Sequence, residues 1–364
     1  MSRTRILISA AALGLSVTLA SVGCASRAAD TTTSDAERQA TRQARLAEAL
    51  PMPGDELVQT VNADWVDTAR DRPVPVRLYL PREAKAPVPL VLVSHGIGGS
   101  RQGYSYLGRY LAAHGVAALH VQHVGSDNRL WRGNPFELVT RLNGATTEAE
   151  AIARPQDLRF ALDTLLADPA LAARIDSARI AVVGHSYGAN TALLVAGAQV
   201  PGKPSLTDAR LSAVVAISAP PFHGYGDPEA ILGRLQLPAL HITAEDDDIR
   251  IPGYGSDVKD RLALYRATGS EHKQLVVFRD GSHSMFTDRL GTGGADLNIA
   301  VKAATRELVL AFLQAQWGDG VGGLDDWRER HASLLSPDQT LQDDAAPANL
   351  ASTSSRLGMG ATAP

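Results

Sequence analysis

The sequence predicts an α/β protein whose mainly parallel sheet is covered by helices on both faces. Two observations carry this. Strand and helix signals alternate along the chain between residues 74 and 316. Several strand segments are also continuous apolar runs rather than alternating ones. Pro89-Leu90-Val91-Leu92-Val93-Ser94 is the clearest, the pattern of a parallel strand buried on both sides. With 364 residues, 45% hydrophobic and 20% charged, the chain has ample material for a core.

The elements follow in order. Residues 74–80 alternate as a strand, and 89–94 form the first buried one. Residues 104–114 have helical periodicity and stop at Gly115. A strand follows at 116–121, and a helix at 154–167 with Pro155 placed in its first turn. Residues 179–183 read as a strand and 189–198 as a helix. Three more strands are expected at 211–218, 239–243 and 273–278, and a long closing helix at 298–316. This is one domain, spanning 55–317. The stretch 219–235 is too short for a large cap, so no large lid is expected.

The ends read differently. Arg3 and Arg5 precede an apolar run at 6–20 that is shorter than a membrane span. It leads into Ser21-Val22-Gly23-Cys24, which resembles a lipoprotein signal with Cys24 as the lipidated new N-terminus. Ordinary cleavage near Gly23-Cys24-Ala25 is the rival. Either way the protein is expected to be exported, as an envelope lipoprotein anchored to the membrane by its lipid or as a periplasmic or secreted protein. Residues 25–54 read as a tether and 318–364 as a mostly disordered tail, of which 327–335 is the part suited to pack back on the domain.

Charge and cysteine content exclude some chemistry. The net charge of −4 and the absence of a long basic run give no reason to expect nucleic acid as a partner. Cys24 is the one cysteine, so no intramolecular disulfide forms and the domain carries no thiol nucleophile.

Gly184-His185-Ser186-Tyr187-Gly188 lies between a predicted strand and a predicted helix. A serine there stands on a strained turn with its hydroxyl lifted off the sheet edge, and the flanking glycines let strand and helix approach. Ser186 is the expected nucleophile. It needs a base and a residue to orient that base, in the chain order Ser, acid, His. His283, in Asp280-Gly281-Ser282-His283-Ser284, follows the last predicted strand, where a loop lies over the sheet's C-terminal edge. The acid belongs to Ala244-Glu245-Asp246-Asp247-Asp248, where one of three adjacent aspartates suffices. An oxyanion site needs two amide donors. Tyr187 N–H is one. Ser94-His95-Gly96-Ile97-Gly98-Gly99 follows a buried strand and supplies the other, Ile97 first and Gly98 next. His95 is read as shaping that loop and His185 as part of the turn.

The segments Ser94-His95-Gly96, Gly99-Ser100-Arg101, Gln122-His123, Gly125-Ser126-Asp127, Arg154-Pro155-Gln156-Asp157-Leu158, Gly184-His185-Ser186 and Gly281-Ser282-His283-Ser284 resemble a branch of the α/β hydrolases. It is the bacterial dienelactone-hydrolase-like group, near the platelet-activating-factor acetylhydrolases and the cutinase-like polyesterases. The resemblance covers roughly residues 55–316. It implies the α/β-hydrolase fold and an acid shortly before a proline in its loop, which ranks Asp247 first, Asp248 second and Asp246 third. Dienelactone hydrolases proper use a cysteine nucleophile, so Ser186 sets this chain apart from dienelactone chemistry.

The activity so implied is carboxylic ester hydrolysis through an acyl-enzyme, with no cofactor and no metal. An open cleft suits short-acyl, lipid-derived or polymeric esters. Tyr104, Trp131, Phe222, Met285 and Phe286 lie near the expected mouth as lining candidates. An acyltransferase or peptidase with the same residues, and a non-catalytic surface lipoprotein that keeps the fold for binding, stay open as alternatives.

Overall fold

The computed structural model describes residues 50–251, 254–288, 294–318 and 323–337, all within one compact unit, Arg42–Pro364. Cys24, the signal-like segment and the last part of the tail lie outside the described residues.

The strands are β1 (Val58–Asp67), β2 (Arg72–Pro81), β3 (Val88–Ser94), β4 (Ala117–Val121), β5 (Ile175–His185), β6 (Leu211–Ile217), β7 (Ala239–Asp246), a short antiparallel pair β8 (Ile249–Ile251) and β9 (Tyr254–Ser256), and β10 (Lys273–Ser282). Eight of them form one sheet in the order β1-β2-β4-β3-β5-β6-β7-β10. β1–β2 and β2–β4 pair antiparallel, and every other neighbour pair is parallel. The helices of five or more residues are α1 (Ser105–Ala113), α2 (Leu138–Ala145), α3 (Glu148–Ala167), α4 (Tyr187–Ala196), α5 (Pro228–Leu232), α6 (Val258–Ala267), α7 (Ala295–Trp317) and α8 (Gly323–Arg330).

The apolar run of β3 explains the layering. Leu90 and Leu92 point into a core shared with Leu158, Leu162 and Leu165 of α3 and Leu193 of α4. Val91 and Val93 point the other way, toward Leu107 and Leu111 of α1 and Leu308 and Phe312 of α7. Each such side chain, fully buried, contributes about 1.5–3 kcal/mol, so a strand apolar on both faces stays in the middle of the sheet. β1 escaped the sequence reading because it is an edge strand whose side chains alternate between partly buried and exposed.

Three expectations need correction. α3 starts at Glu148, where Thr147 Oγ1 accepts the Glu150 N–H at 3.4 Å, so Pro155 sits inside the helix and not in its first turn. The buried stripe of α3 runs through Pro155, and packing there offsets the hydrogen bond that a proline forfeits. The domain does not end at 317. Trp327 of α8 is wholly buried, and its Nε1–H donates to Ala304 O at 2.9 Å. The Ser336 amide donates to Val277 O at 2.9 Å, so the chain returns to the edge of β10. The packing falls on the segment 327–335 that the sequence marked as suited to return to the domain, with Trp327 as its anchor. At the other end Leu50 is buried in the core, inside the stretch read as tether.

Candidate active site

The parallel strands β3, β5, β7 and β10 all end at one edge of the sheet, and each is followed by one candidate residue. This is the carboxyl edge, where ligands bind in parallel sheets. Ser186 joins β5 to α4 with φ 56° and ψ −126°, a strained conformation for a side-chain-bearing residue. The glycines around it are required by contact. A Cβ on Gly184 would collide with the Gly188 carbonyl, and one on Gly188 with the Ser94 carbonyl.

His283 faces Ser186, with His283 Nε2 and Ser186 Oγ 2.8 Å apart. Its Nδ1 is 2.7 Å from Asp247 Oδ1. A carboxylate only accepts, so Nδ1 carries the proton and Nε2 is left to accept from the serine hydroxyl. A bulge makes this meeting possible. β10 pairs regularly with β7 up to Phe278, shifts register, and resumes with Ser282 beside Asp246. The next residue on each strand is then His283 and Asp247. Gly281 lies in the bulge, where a Cβ would collide with Met285 Sδ and lie 2.8 Å from Ala244 Cβ.

Of the three adjacent aspartates, the structure brings only Asp247 to the histidine. It is wholly buried, whereas Asp248 is partly exposed and paired with Arg250 at 2.5 Å. Asp247 Oδ2 accepts from Thr243 Oγ1 at 2.8 Å, and Oδ1 also accepts from Arg261 Nη2 at 3.3 Å. Burial alone would raise its pKa. The hydrogen bond from His283 and the charges of His283 and Arg261 outweigh burial and hold the carboxyl well below the usual range. Thr243 and Arg261 were not foreseen. Arg261 comes from α6, which Asp257 and Asp260 start with a capping box, and no local pattern links it to Asp247.

The oxyanion loop lies against the serine: a Cβ on Gly96 would be 3.2 Å from Ser186 Cβ. The Gly98 amide is engaged with Ser126 O at 2.8 Å. Among the described residues the Ile97 and Tyr187 amides, unlike that of Gly98, donate to no backbone carbonyl. Trp131 packs over the αL-configured Gly98, and its Nε1–H donates to Gly98 O at 2.9 Å.

The lining candidates separate. Trp131 is 45% exposed and reaches the oxyanion loop. Met285 and Phe286 are wholly buried, packed in the core under the sheet edge, and Phe222 belongs to the core of the opposite face. Tyr104 is buried as well. Its hydroxyl lies 2.8 Å from His185 Nδ1 and accepts the Gly96 N–H at 3.3 Å. His185 Nε2 in turn lies 3.0 Å from His283 O. Burial pushes the His185 pKa down to about 3, with the neighbouring His283 adding to the effect, so the ring is neutral. Tyr104 and His185 therefore tie the loop to the His283 backbone from buried positions.

A second layer lies beneath the loop. The buried stripe of α3 carries Glu150, Arg154 and Asp157 ahead of its leucines. Asp157 is paired with Arg72 at 2.8 Å, Arg70 at 2.9 Å and His123 Nδ1 at 3.1 Å. His123 Nε2 meets Ser94 Oγ at 3.0 Å, and the His123 amide donates to His95 Nε2 at 3.0 Å. His95 is buried, which holds its pKa well below the ordinary value, as do the charges of Arg154 and His123. It shapes the loop as expected. The signal for this layer was present as charged residues at helical spacing within an apolar stripe.

Comparisons with known proteins agree with the architecture. The sequence model of platelet-activating factor acetylhydrolase, isoform II, matches residues 69–128, which include the oxyanion loop but none of Ser186, Asp247 and His283. A platelet-activating factor acetylhydrolase of Cavia porcellus is 23% identical over 286 residues, covering 67% of this chain and 61% of that relative's length. A ferulic acid esterase from Streptomyces cinnamoneus superposes with a TM-score of 0.50 at 23% identity, covering 73% of this chain and 90% of the esterase. The chain has the α/β-hydrolase fold.

Proposed function

We propose that this chain is a serine carboxylic ester hydrolase that works through an acyl-enzyme on Ser186. The observation that carries the reading is the pair of contacts linking Ser186 Oγ to His283 Nε2 at 2.8 Å and His283 Nδ1 to Asp247 Oδ1 at 2.7 Å. His283 Nε2 takes the serine proton as Oγ attacks an ester carbonyl. Buried Asp247 keeps the proton on Nδ1 and stabilises the imidazolium that forms. The Ile97 and Tyr187 amides donate to the oxyanion. His283 then protonates the leaving alcohol. Water, activated by the same nitrogen, releases the acid and restores Ser186.

The additions above the sheet edge are the 122–147 segment with its 3-10 turns and α2, then α5 and the β8–β9 pair, each a small element rather than a large cap. That favours short-acyl, lipid-derived or polymeric esters over substrates that need a deep enclosed tunnel. The names of the relatives, an acetylhydrolase and a ferulic acid esterase, fit the same class of substrate. We also propose export, with Cys24 as the lipidation site; labelling cells with a fatty-acid probe tests the lipidation, and an unlabelled wild-type protein defeats it in favour of ordinary cleavage near Gly23-Cys24-Ala25.

A fluorophosphonate probe tests the central reading. Wild-type protein should label and Ser186→Ala should not. No labelling of the wild type, or labelling that persists in Ser186→Ala, ends the case. Hydrolysis of p-nitrophenyl esters of graded length tests the open cleft, and a preference for long chains alone contradicts it.

A further inference from the structure

We propose that Arg154 is a positioning residue that sets the spacing between the two amides of the oxyanion site, Ile97 N–H and Tyr187 N–H. The inference rests on the ester-hydrolase reading and adds a residue that reading does not use. Arg154 lies on α3, which contributes nothing to the serine, histidine and aspartate arrangement, yet it is wholly buried.

Its guanidinium reaches both sides of the site. On one side Nη2 donates to the His95 carbonyl and, at 3.3 Å, to Ser94 Oγ, the two residues that lead into Gly96 and Ile97. Nη1 donates to Ser126 Oγ at 2.6 Å, and the Ser126 carbonyl accepts the Gly98 amide at 2.8 Å. On the other side Nε donates to Thr191 Oγ1 at 2.9 Å, and that hydroxyl donates to Tyr187 O at 3.0 Å. The guanidinium carbon also lies 4.5 Å from the centre of the Tyr187 ring. One planar group thus connects the loop that bears the first amide to the residue that bears the second.

The residue type matters. A guanidinium fixes several donors in one plane, whereas a lysine offers a single mobile ammonium. Burying a cation is unfavourable unless it is paired and hydrogen-bonded. Here Glu150 accepts from Ser126 Oγ at 2.8 Å, and Asp157 lies on the next turn of the same helix. Burial lowers the Arg154 pKa to about 10, so the group remains charged at neutral pH. A wholly apolar helix face would pack here without that cost, and the bonds that Arg154 makes all lead to the oxyanion site.

Arg154→Lys and Thr191→Val, measured on p-nitrophenyl acetate, test the proposal. Arg154→Lys should lower kcat by about 10–100-fold with little change in KM, a fraction of the loss seen when an oxyanion donor is removed outright. Thr191→Val, which cuts only the link to Tyr187, should lower it by a few-fold. A boronic acid that forms a tetrahedral adduct on Ser186 should lose affinity by the same factor as kcat/KM falls in each variant. A merely structural role would not produce that proportionality. Boronate affinity that stays at the wild-type value, or wild-type kcat in both variants, overturns the proposal. If Arg154→Lys does not fold, Thr191→Val decides alone. Failure of the ester-hydrolase reading is distinguishable, because the wild type itself would then show neither turnover nor fluorophosphonate labelling, and this inference would fall with it.

Discussion

His185 Nε2 donates to the backbone carbonyl of His283 across 3.0 Å, so the residue before the candidate nucleophile holds the main chain of the histidine that faces it. A carbonyl can only accept, which fixes the proton of the neutral His185 ring on Nε2 and leaves Nδ1 to accept from the Tyr104 hydroxyl. Tyr104→Phe removes that donor and also strands the Gly96 amide. The expected result is a loss of about 1–3 kcal/mol in urea unfolding, with a lower kcat. Wild-type values for both would show that the link carries no weight.

Asp247 and Asp248 should part sharply. Asp247→Asn keeps the shape but lets His283 take the wrong tautomer, and kcat should fall about 10³–10⁴-fold. Asp248 forms a surface pair with the exposed Arg250, and Asp248→Asn should leave kcat within about twofold. Steady-state kinetics on one ester decides, and equal losses in the two variants would contradict the assignment.

Gly281→Ala tests the bulge. The new methyl meets Met285 Sδ and Ala244 Cβ, so the segment carrying His283 must shift. A displacement of about 1 Å is enough to lower kcat roughly 100-fold. Circular dichroism should still report a folded protein, and a fully active variant would mean that the bulge tolerates the change.

Five histidines, His95, His120, His123, His185 and His241, are buried, and burial depresses the pKa of each. In the unfolded chain they titrate near 6.5. Their depressed folded values make the contribution to stability complete above that pH and progressively lost as pH falls below it, because only the unfolded state gains protons. Each histidine adds a slope of up to about 1.4 kcal/mol per pH unit. Urea midpoints at pH 7.5, 6.5, 5.5 and 4.5 should fall steeply between the last three; a flat profile would contradict neutral burial. Asp247, also depressed, adds its loss at still lower pH.

Trp327→Ala should destabilise the fold by about 3–5 kcal/mol, since the side chain is wholly buried against Phe278 and Ala304. Thermal melts measure this. A change within error would mean that residues beyond α7 are dispensable.

The sequence by itself determined the doubly covered parallel sheet and the positions of Ser186 and His283. Those features are local: an apolar run sets a central strand, and glycines at fixed offsets set the turn. For the acid, the resemblance already ranked Asp247 ahead of Asp248 and Asp246; what the tertiary structure adds is the physical reason, since the register of β7 and β10 turns Asp247 alone toward His283. It also shows that Ser126 O, brought from a distant loop, occupies the Gly98 amide, which is the reason to keep Ile97 ahead of Gly98 as the proposed donor. Tyr104, Phe222, Met285 and Phe286 moved from the mouth to the interior for the same reason, as burial depends on partners remote in sequence. Arg154 was visible as one charge in an apolar stripe. Its meaning required the fold, since Ser94, Ser126 and Thr191 converge on it only when three separate segments pack together.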